Sequence, residues 1–234
     1  MEAMRDVAPA RRLVRASYDL HSVARLEPTE SGTTIVKHGG RVTLVDVWIS
    51  QLGSECARAR LYFADDLPPR ENEIWTSADS IDPPALGSEK DYHGRQYYSD
   101  STGWTALGSQ IPGDERKAIW VGGVELIRGE CLESTVLAGF AADGVNPIMS
   151  WGRDGIQHIN LDVSLHLARQ PVPGGIGLLS ARVLVSGGTL VGSAQVFDRL
   201  GALGVASMTS IAQERRVDPS RWRPQGASPS IGSA

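Results

Sequence analysis

The segment HINLDVSLHLARQP, residues 158–171, constrains the fold of this chain more than any other stretch of the sequence. Apolar and polar residues alternate through it, with the period of a β-strand whose two faces meet different surroundings. The apolar positions are Ile159, Leu161, Val163, Leu165 and Leu167, and the polar positions between them are Asn160, Asp162, Ser164 and His166. The pattern predicts a strand with one face against a core. It leaves open whether the polar face is only solvated or is the floor of an active site.

Most of the remaining sequence also has the pattern of strands. A hairpin is predicted over residues 39–64, because two alternating arms flank the turn QLGSE. Further strands are predicted over residues 11–22, 94–100, 117–127, 175–187, 188–198 and 201–213. The order of these elements is similar in the two halves, which predicts a repeated sheet unit.

One segment has the pattern of a helix, GECLESTVLAGFAADG at residues 129–144. Glu130 and Glu133 suit the positive first turn of a helix, and Gly144 suits its end. Apolar residues recur on one face between these ends. A single helix among many strands predicts an α+β fold.

The predicted organisation is two halves with a linker and a tail. Residues 67–94 contain two proline pairs and many acids with little periodicity, which is typical of a linker between an N-terminal unit, 1–66, and a C-terminal unit, 95–214. The tail, residues 215–234, has too little apolar content to pack and is predicted to be disordered.

Composition excludes several classes of function. The 23 basic residues are dispersed and outnumbered by 27 acidic ones, which argues against a nucleic-acid-binding protein. No signal peptide and no apolar run of membrane-spanning length is present, so the default prediction is a cytoplasmic protein without membrane insertion. Two cysteines are too few for a disulfide framework or a Cys-based zinc site, and no metal or redox cofactor is called for.

An ordered series of motifs resembles a known family. The series consists of Gly129-Glu130 at the start of the helix, AADGVN at its exit, INLDVSLHLARQP, and GTLVGSAQVFDRLGALG. It resembles the acyl-CoA thioesterases of the TesB type, and more narrowly the thioesterase-like double-hotdog proteins common in actinobacteria. The similarity extends over residues 9–212, since ARRLVRASYDLHSVAR and ARARLYF resemble parts of an N-terminal hotdog.

The resemblance implies a double hotdog, in which each antiparallel sheet wraps around a central helix, and fatty acyl-CoA as the substrate. The residue that matches the family's water-activating aspartate is Asp162, with Ser164 and Asn160 as assisting groups. Backbone groups at the start of the helix, at Glu130, Cys131 and Leu132, would bind the substrate near its carbonyl oxygen. No metal is part of this site.

The sequence departs from the family pattern in two places. Met208 stands where the family has a catalytic Gln, and Arg182 or Val183 stands where it has a Thr. The resemblance also implies that the first hotdog lacks its N-terminal strand and helix. An apolar sheet face would then be exposed, which favours a homo-oligomer.

Several alternatives stay open. A non-catalytic acyl-CoA or lipid-binding module fits a site that has lost its Gln and Thr. A hydratase would need a histidine such as His158 or His166 within hydrogen-bonding reach of Asp162. Arg169 and Arg153 could meet CoA phosphates, although surface ion pairs are the simpler interpretation.

Overall fold

The computed structural model describes residues 10–68, 74–76, 80–85, 95–122 and 132–218. The strands of the first half are β1 (Arg11–Leu20), β2 (Glu30–His38), β3 (Val42–Gln51) and β4 (Ser54–Asp65). Those of the second half are β5 (Arg95–Ser99), β6 (Gly103–Thr105), β7 (Lys117–Val121), β8 (Trp151–Gly152), β9 (Gly155–Leu167), β10 (Ile176–Ser186), β11 (Thr189–Asp198) and β12 (Gly201–Val217). Two helices, α1 (Ser134–Ala142) and α2 (Val145–Ser150), precede β8, and a short 3-10 helix covers Gly108–Gln110.

The described strands form one antiparallel sheet in the order β2-β3-β4-β1-β9-β12-β11-β10-β7-β5-β6, with β8 paired to β9. Within it, β1–β4 and β9–β12 have the same internal order, because the first strand of each set lies beside the fourth. The two sets meet where β1 pairs with β9, and Ser17 lies opposite Ser164 at this seam. The repeat predicted from element order is therefore visible in the strand order.

Both helices lie on one face of the sheet, which we call the inner face. Small residues of α1, Ala138 and Ala141, are buried against the strands, so the helix approaches the sheet closely. Residues of β7 and β9 line the same cavity beside the helices, although three strands separate these two in the sheet. The sheet therefore curves around the helices. A long antiparallel sheet wrapped on a helix is the hotdog arrangement, and the predicted α+β class is confirmed.

The helical region differs from the prediction at its start and beyond Gly144. Helix α1 begins at Ser134, and Leu132 and Glu133, which were predicted to be helical, precede it. A second helix, α2, begins immediately after that glycine and contains Pro147 in its first turn. Proline is tolerated there because the first turn of a helix has no intrahelical partner for its N–H groups. This helix brings Asn146 over the sheet, where it takes part in the candidate site described below.

The inner face of the first half is buried on β1, β3 and β4, whereas the edge strand β2 is exposed, with Ile35 at 42%. Leu13, Val45 and Phe63, which point to that face from β1, β3 and β4, are buried. The prediction of an exposed apolar sheet face is wrong at these positions. These three strands therefore offer no exposed apolar face that would favour the homo-oligomer, which stays a prediction.

Two segments at the boundaries of the predicted units can be compared with the structure. Strand β12 continues to Val217, three residues into the predicted disordered tail. The described residues between positions 67 and 94 contain no helix or strand. In the described part of the chain, no helix is long and apolar enough to cross a membrane.

Candidate functional site

A β-bulge in β9 divides the predicted polar face. Asp162 pairs with Thr209 of β12, whereas Asn160 pairs with Ser210, so Leu161 is an additional residue in β9. Adjacent residues of a strand point to opposite faces. Asn160 therefore lies on the inner face with the helices, and Asp162 lies on the opposite, outer face. The prediction that Asn160, Asp162 and Ser164 share one face is wrong for Asn160.

Asp162 and Ser164 remain together at a cavity on the outer face, which we call the outer cavity. Its volume is about 440 Å³, and it is lined by Arg15, Ser17, Tyr18, Asp19, Asp46, Arg58, Arg60, Asp162 and Ser164. The Ser164 hydroxyl lies 3.1 Å from that of Ser17, and Asp162 Oδ1 accepts a 2.8 Å hydrogen bond from the backbone N–H of Thr209. Asp162 thus ties the two strands together at the bulge.

The charges of the outer cavity largely neutralise each other. Arg60 binds both carboxylate oxygens of Asp46, at 2.7 and 2.8 Å. The hydrogen bond from Arg60 holds the pKa of the Asp46 carboxyl below its usual value. Apart from Tyr18 the walls are charged or hydroxylic, so this cavity offers no apolar slot for an acyl chain.

A second cavity lies on the inner face between the helices and strands β5, β7, β9 and β12. We call it the helix-side cavity, and its volume is about 260 Å³. Its apolar walls are Ile119, Val121, Phe140, Ala141, Gly144, Pro147, Ile156, Ile159 and Val217, and its polar groups are Arg95, Asp143, Asn146, His158 and Gln213. An apolar cavity with a few convergent polar groups is the usual form of a small-molecule site.

A chain of polar side chains holds a carboxylate at this cavity. Asn160 Nδ2 donates to Asp143 Oδ1 at 3.3 Å, and Asn146 Nδ2 lies 3.5 Å from Asn160 Oδ1. The Ser150 hydroxyl lies 2.9 Å from Asn146 Oδ1 and donates to Asn146 O at 2.7 Å. These contacts orient Asn160 so that its amide N–H faces Asp143.

Asp143 was not identified from the sequence, because it was interpreted only as part of the helix end. It caps the C-terminus of α1 and is exposed to solvent. In the described part of the chain no cation pairs with it. The available signal was a carboxylate directly after the buried run FAA, at the point where the helix leaves the apolar core.

A cation lies at the same cavity. The Arg95 guanidinium is 5.5 Å from the centre of the Phe140 ring, and both side chains line the helix-side cavity. Such a contact holds the guanidinium by attraction to the π-face of the ring. The cavity thus carries one positive and one negative side chain, Arg95 and Asp143.

The remaining predicted site residues lie elsewhere. Glu130 and Cys131 are outside the described residues, and Leu132 packs partly buried against the main core. Met208 is buried opposite Val163 on the inner face, where it acts as a core residue. Arg182 is exposed and follows an irregularity in β10.

Two arginines considered for CoA phosphates form ion pairs within the chain. Arg169 binds both oxygens of Asp198, each at 2.7 Å, and Arg153 binds Asp114 at 2.6 Å. The simpler interpretation, that these arginines form ion pairs, is therefore confirmed. Among the described residues, no hydrogen bond joins Asp162 to His158 or His166, and no group of three or more His, Cys, Asp or Glu side chains could hold a metal ion.

Comparison with known proteins identifies the fold but no close relative. No protein-family model matches the sequence, and no curated protein matches it. A tesB protein from Mycobacterium avium subspecies paratuberculosis superposes with a TM-score of 0.63 and 13% identity, covering 90% of this chain and 82% of that one. The acyl-CoA thioesterase II TesB2 from Mycobacterium marinum gives a TM-score of 0.63 and 13% identity, with 92% and 85% covered. A hotdog-fold protein of unknown function from Alicyclobacillus acidocaldarius gives 0.61 and 11% identity, with 88% and 80% covered. The chain therefore has the hotdog fold found in TesB-type thioesterases.

Proposed function

We propose that this protein hydrolyses acyl-CoA thioesters to the free acid and CoA in the helix-side cavity. The observation that carries the proposal is the Asp143 carboxylate, which Asn160 holds at a cavity with otherwise mostly apolar walls. The apolar walls would take the acyl chain, and the thioester would lie beside Asp143. The shared fold with TesB-type thioesterases supports the same reaction class.

The chemistry requires a base, a cation or donor for the carbonyl oxygen, and an apolar slot. Asp143 accepts a proton from water as the water oxygen attacks the thioester carbon. The carbonyl oxygen becomes negatively charged, and Arg95 lies at the same cavity to attract that charge. The C–S bond then breaks, and the proton held by Asp143 passes to the leaving CoA thiolate.

Asn160 would act as a positioning residue in this scheme. Its Nδ2 bonds one oxygen of Asp143, which orients the carboxylate so that its other oxygen can hold the water. Asn146 in turn lies beside the oxygen of Asn160 and disfavours the flipped amide. The bulge at Leu161 is what directs Asn160 toward the helices.

We also propose that the two similar strand sets correspond to two hotdog units. The first unit would consist of β1–β4 and the second of β5–β12 with both helices. In this description the helix-side cavity belongs to the second unit, and the outer cavity lies on the seam between β1 and β9.

The family resemblance assigns the water to Asp162 with Ser164, and this assignment is the rival to Asp143. The outer cavity lacks an apolar slot for the acyl chain, whereas the helix-side cavity has mostly apolar walls. We therefore favour Asp143. The two assignments are separated by the same substitution at each carboxylate.

The experiment measures release of CoA thiol from a series of acyl-CoAs by the wild type, Asp143→Asn and Asp162→Asn, with Asp19→Asn as a charge-matched control on the outer face. We expect Asp143→Asn to lower kcat by about 10²–10⁴, the usual contribution of a general base. Asp19→Asn should retain turnover. Unfolding curves for each variant show that the folded state is intact.

Two other outcomes would contradict the proposal. Loss of turnover in Asp162→Asn but not in Asp143→Asn would place the water on the outer face and contradict our assignment. A folded wild type that binds acyl-CoA without hydrolysing it would be a binding module and would overturn the proposed function.

A further inference from the structure

A third cavity lies directly behind the helix-side cavity. We call it the far cavity; its volume is about 440 Å³, and its apolar lining includes Ile148, Met149, Trp151 and Leu190. His158 lines both this cavity and the helix-side cavity. The two cavities therefore share one lining residue, His158.

Contacts on both sides of His158 complete the wall between the two cavities. Ser150 lines the far cavity and bonds Asn146, which lines the helix-side cavity. Trp151 of the far cavity pairs with Ile156 of the helix-side cavity in the β8–β9 ladder. The polar and apolar parts of the wall are thus held by β8, β9 and α2, and His158 of β9 lies between them.

The two cavities differ in volume. The helix-side cavity, at about 260 Å³, is smaller than the far cavity, at about 440 Å³. A short acyl chain needs only the smaller space, whereas a longer chain that fills it would extend past His158 to reach the far cavity.

We propose that His158 sets the acyl-chain length of this enzyme by closing the helix-side cavity against the far cavity. The inference rests on the proposed function and names its substrate class, which is short-chain acyl thioesters. Replacing the imidazole by a small side chain joins the two cavities. The longer chain then gains apolar contacts with Met149 and Trp151.

The experiment compares kcat/KM for butyryl-, octanoyl- and palmitoyl-CoA in the wild type, His158→Ala and His158→Gln. The wild type should prefer butyryl-CoA. In His158→Ala the ratio of palmitoyl to butyryl should rise by about tenfold or more, since each methylene admitted to an apolar pocket contributes to specificity. His158→Gln restores a side chain of similar length and should retain the wild-type order.

His166→Ala is the matched control. His166 lies on the same strand but on the outer face, so its removal should leave the chain-length order unchanged. If His158→Ala does not fold, His158→Val supplies a small side chain with a higher preference for strands.

The inference is overturned if the wild type prefers palmitoyl-CoA or if both small variants keep the wild-type ratio. An equal loss for every chain length would also overturn it, because it would make His158 part of the reaction and not of the wall. If the wild type hydrolyses none of the three, the proposed function fails. Binding of non-hydrolysable thioether analogues of the same lengths then still tests His158.

Discussion

Removal of the Asp198 carboxylate should destabilise the fold strongly. Asp198 lies at the end of β11, its side chain is 0% exposed, and it accepts two hydrogen bonds from Arg169. It also accepts from the backbone N–H groups of Val172 and Leu200, at 3.0 and 2.8 Å. The Asp198 carboxylate thus links the loop after β9 to the turn before β12 by hydrogen bonds.

The magnitude follows from what Asp198→Ala leaves behind. Two backbone donors and the Arg169 guanidinium lose their acceptor together. Removing one partner of a buried ion pair costs about 3–5 kcal/mol. Arg169 retains 32% of its side-chain exposure and a bond to Gly201 O, so water and that carbonyl compensate in part. We therefore expect the free energy of unfolding to fall by about 3 kcal/mol, the lower end of that range.

Urea denaturation followed by circular dichroism measures this difference. The matched comparison is Asp46→Ala, because Asp46 forms a similar two-bond pair with Arg60, whose side chain is 53% exposed. That exposed pair should contribute only about 0–1 kcal/mol. Equal effects of the two substitutions, or a loss below about 1 kcal/mol for Asp198→Ala, would refute the reasoning from burial.

The effect of Asp198→Ala should also depend on pH. Burial alone would raise the pKa of the Asp198 carboxyl, but the hydrogen bonds from Arg169 and the two backbone N–H groups outweigh burial and lower it. A lowered pKa in the folded state stabilises the protein above the unfolded-state pKa of about 3.9 and loses that contribution as the pH falls further. The difference between wild type and variant should therefore narrow in acid.

Three further outcomes are expected from single substitutions. Burial raises the pKa of Tyr18 to about 12 from 10.0, so stability should fall as the pH rises through this interval, and Tyr18→Phe should remove that part of the decline in alkaline denaturation curves. Gly204→Ala would place a Cβ 2.0 Å from the backbone oxygen of His166, so thermal and urea unfolding should show a loss of about 1–3 kcal/mol. Asp162→Ala removes the acceptor for the Thr209 N–H at the β9 bulge and should lower the free energy of unfolding by about 1–2 kcal/mol in urea denaturation; an unchanged value would contradict this role of Asp162.

The sequence predicts β9 as a strand, but it does not predict which face of the sheet the residues before the bulge point to. Ile159 and Leu161 are apolar yet 39% and 43% exposed, whereas Asn160 is polar and lies on the helix side. Alternation reports the period of a strand and not which face each residue takes after a bulge. The bulge depends on pairing with β12, about fifty residues away in the chain, and a local pattern holds no such information.

The candidate site was only partly predictable for a similar reason. Asn160 was identified, but as a partner of Asp162, because the contact that gives it a role comes from Asp143 at the end of α1. Asn146 was missed because Gly144 was interpreted as the end of the helical region, whereas a second helix begins directly after it and contains Asn146 in its first turn. The helix itself and the α+β class were recovered because both depend on local periodicity.

A crystal structure with a short-chain acyl-CoA thioether, which cannot be hydrolysed, tests the account most directly. We expect the acyl chain in the helix-side cavity, with its end against His158 and the thioether group beside Asp143 and Arg95. Density for the acyl chain at the outer cavity, beside Asp162 and Ser164, would contradict the proposed site.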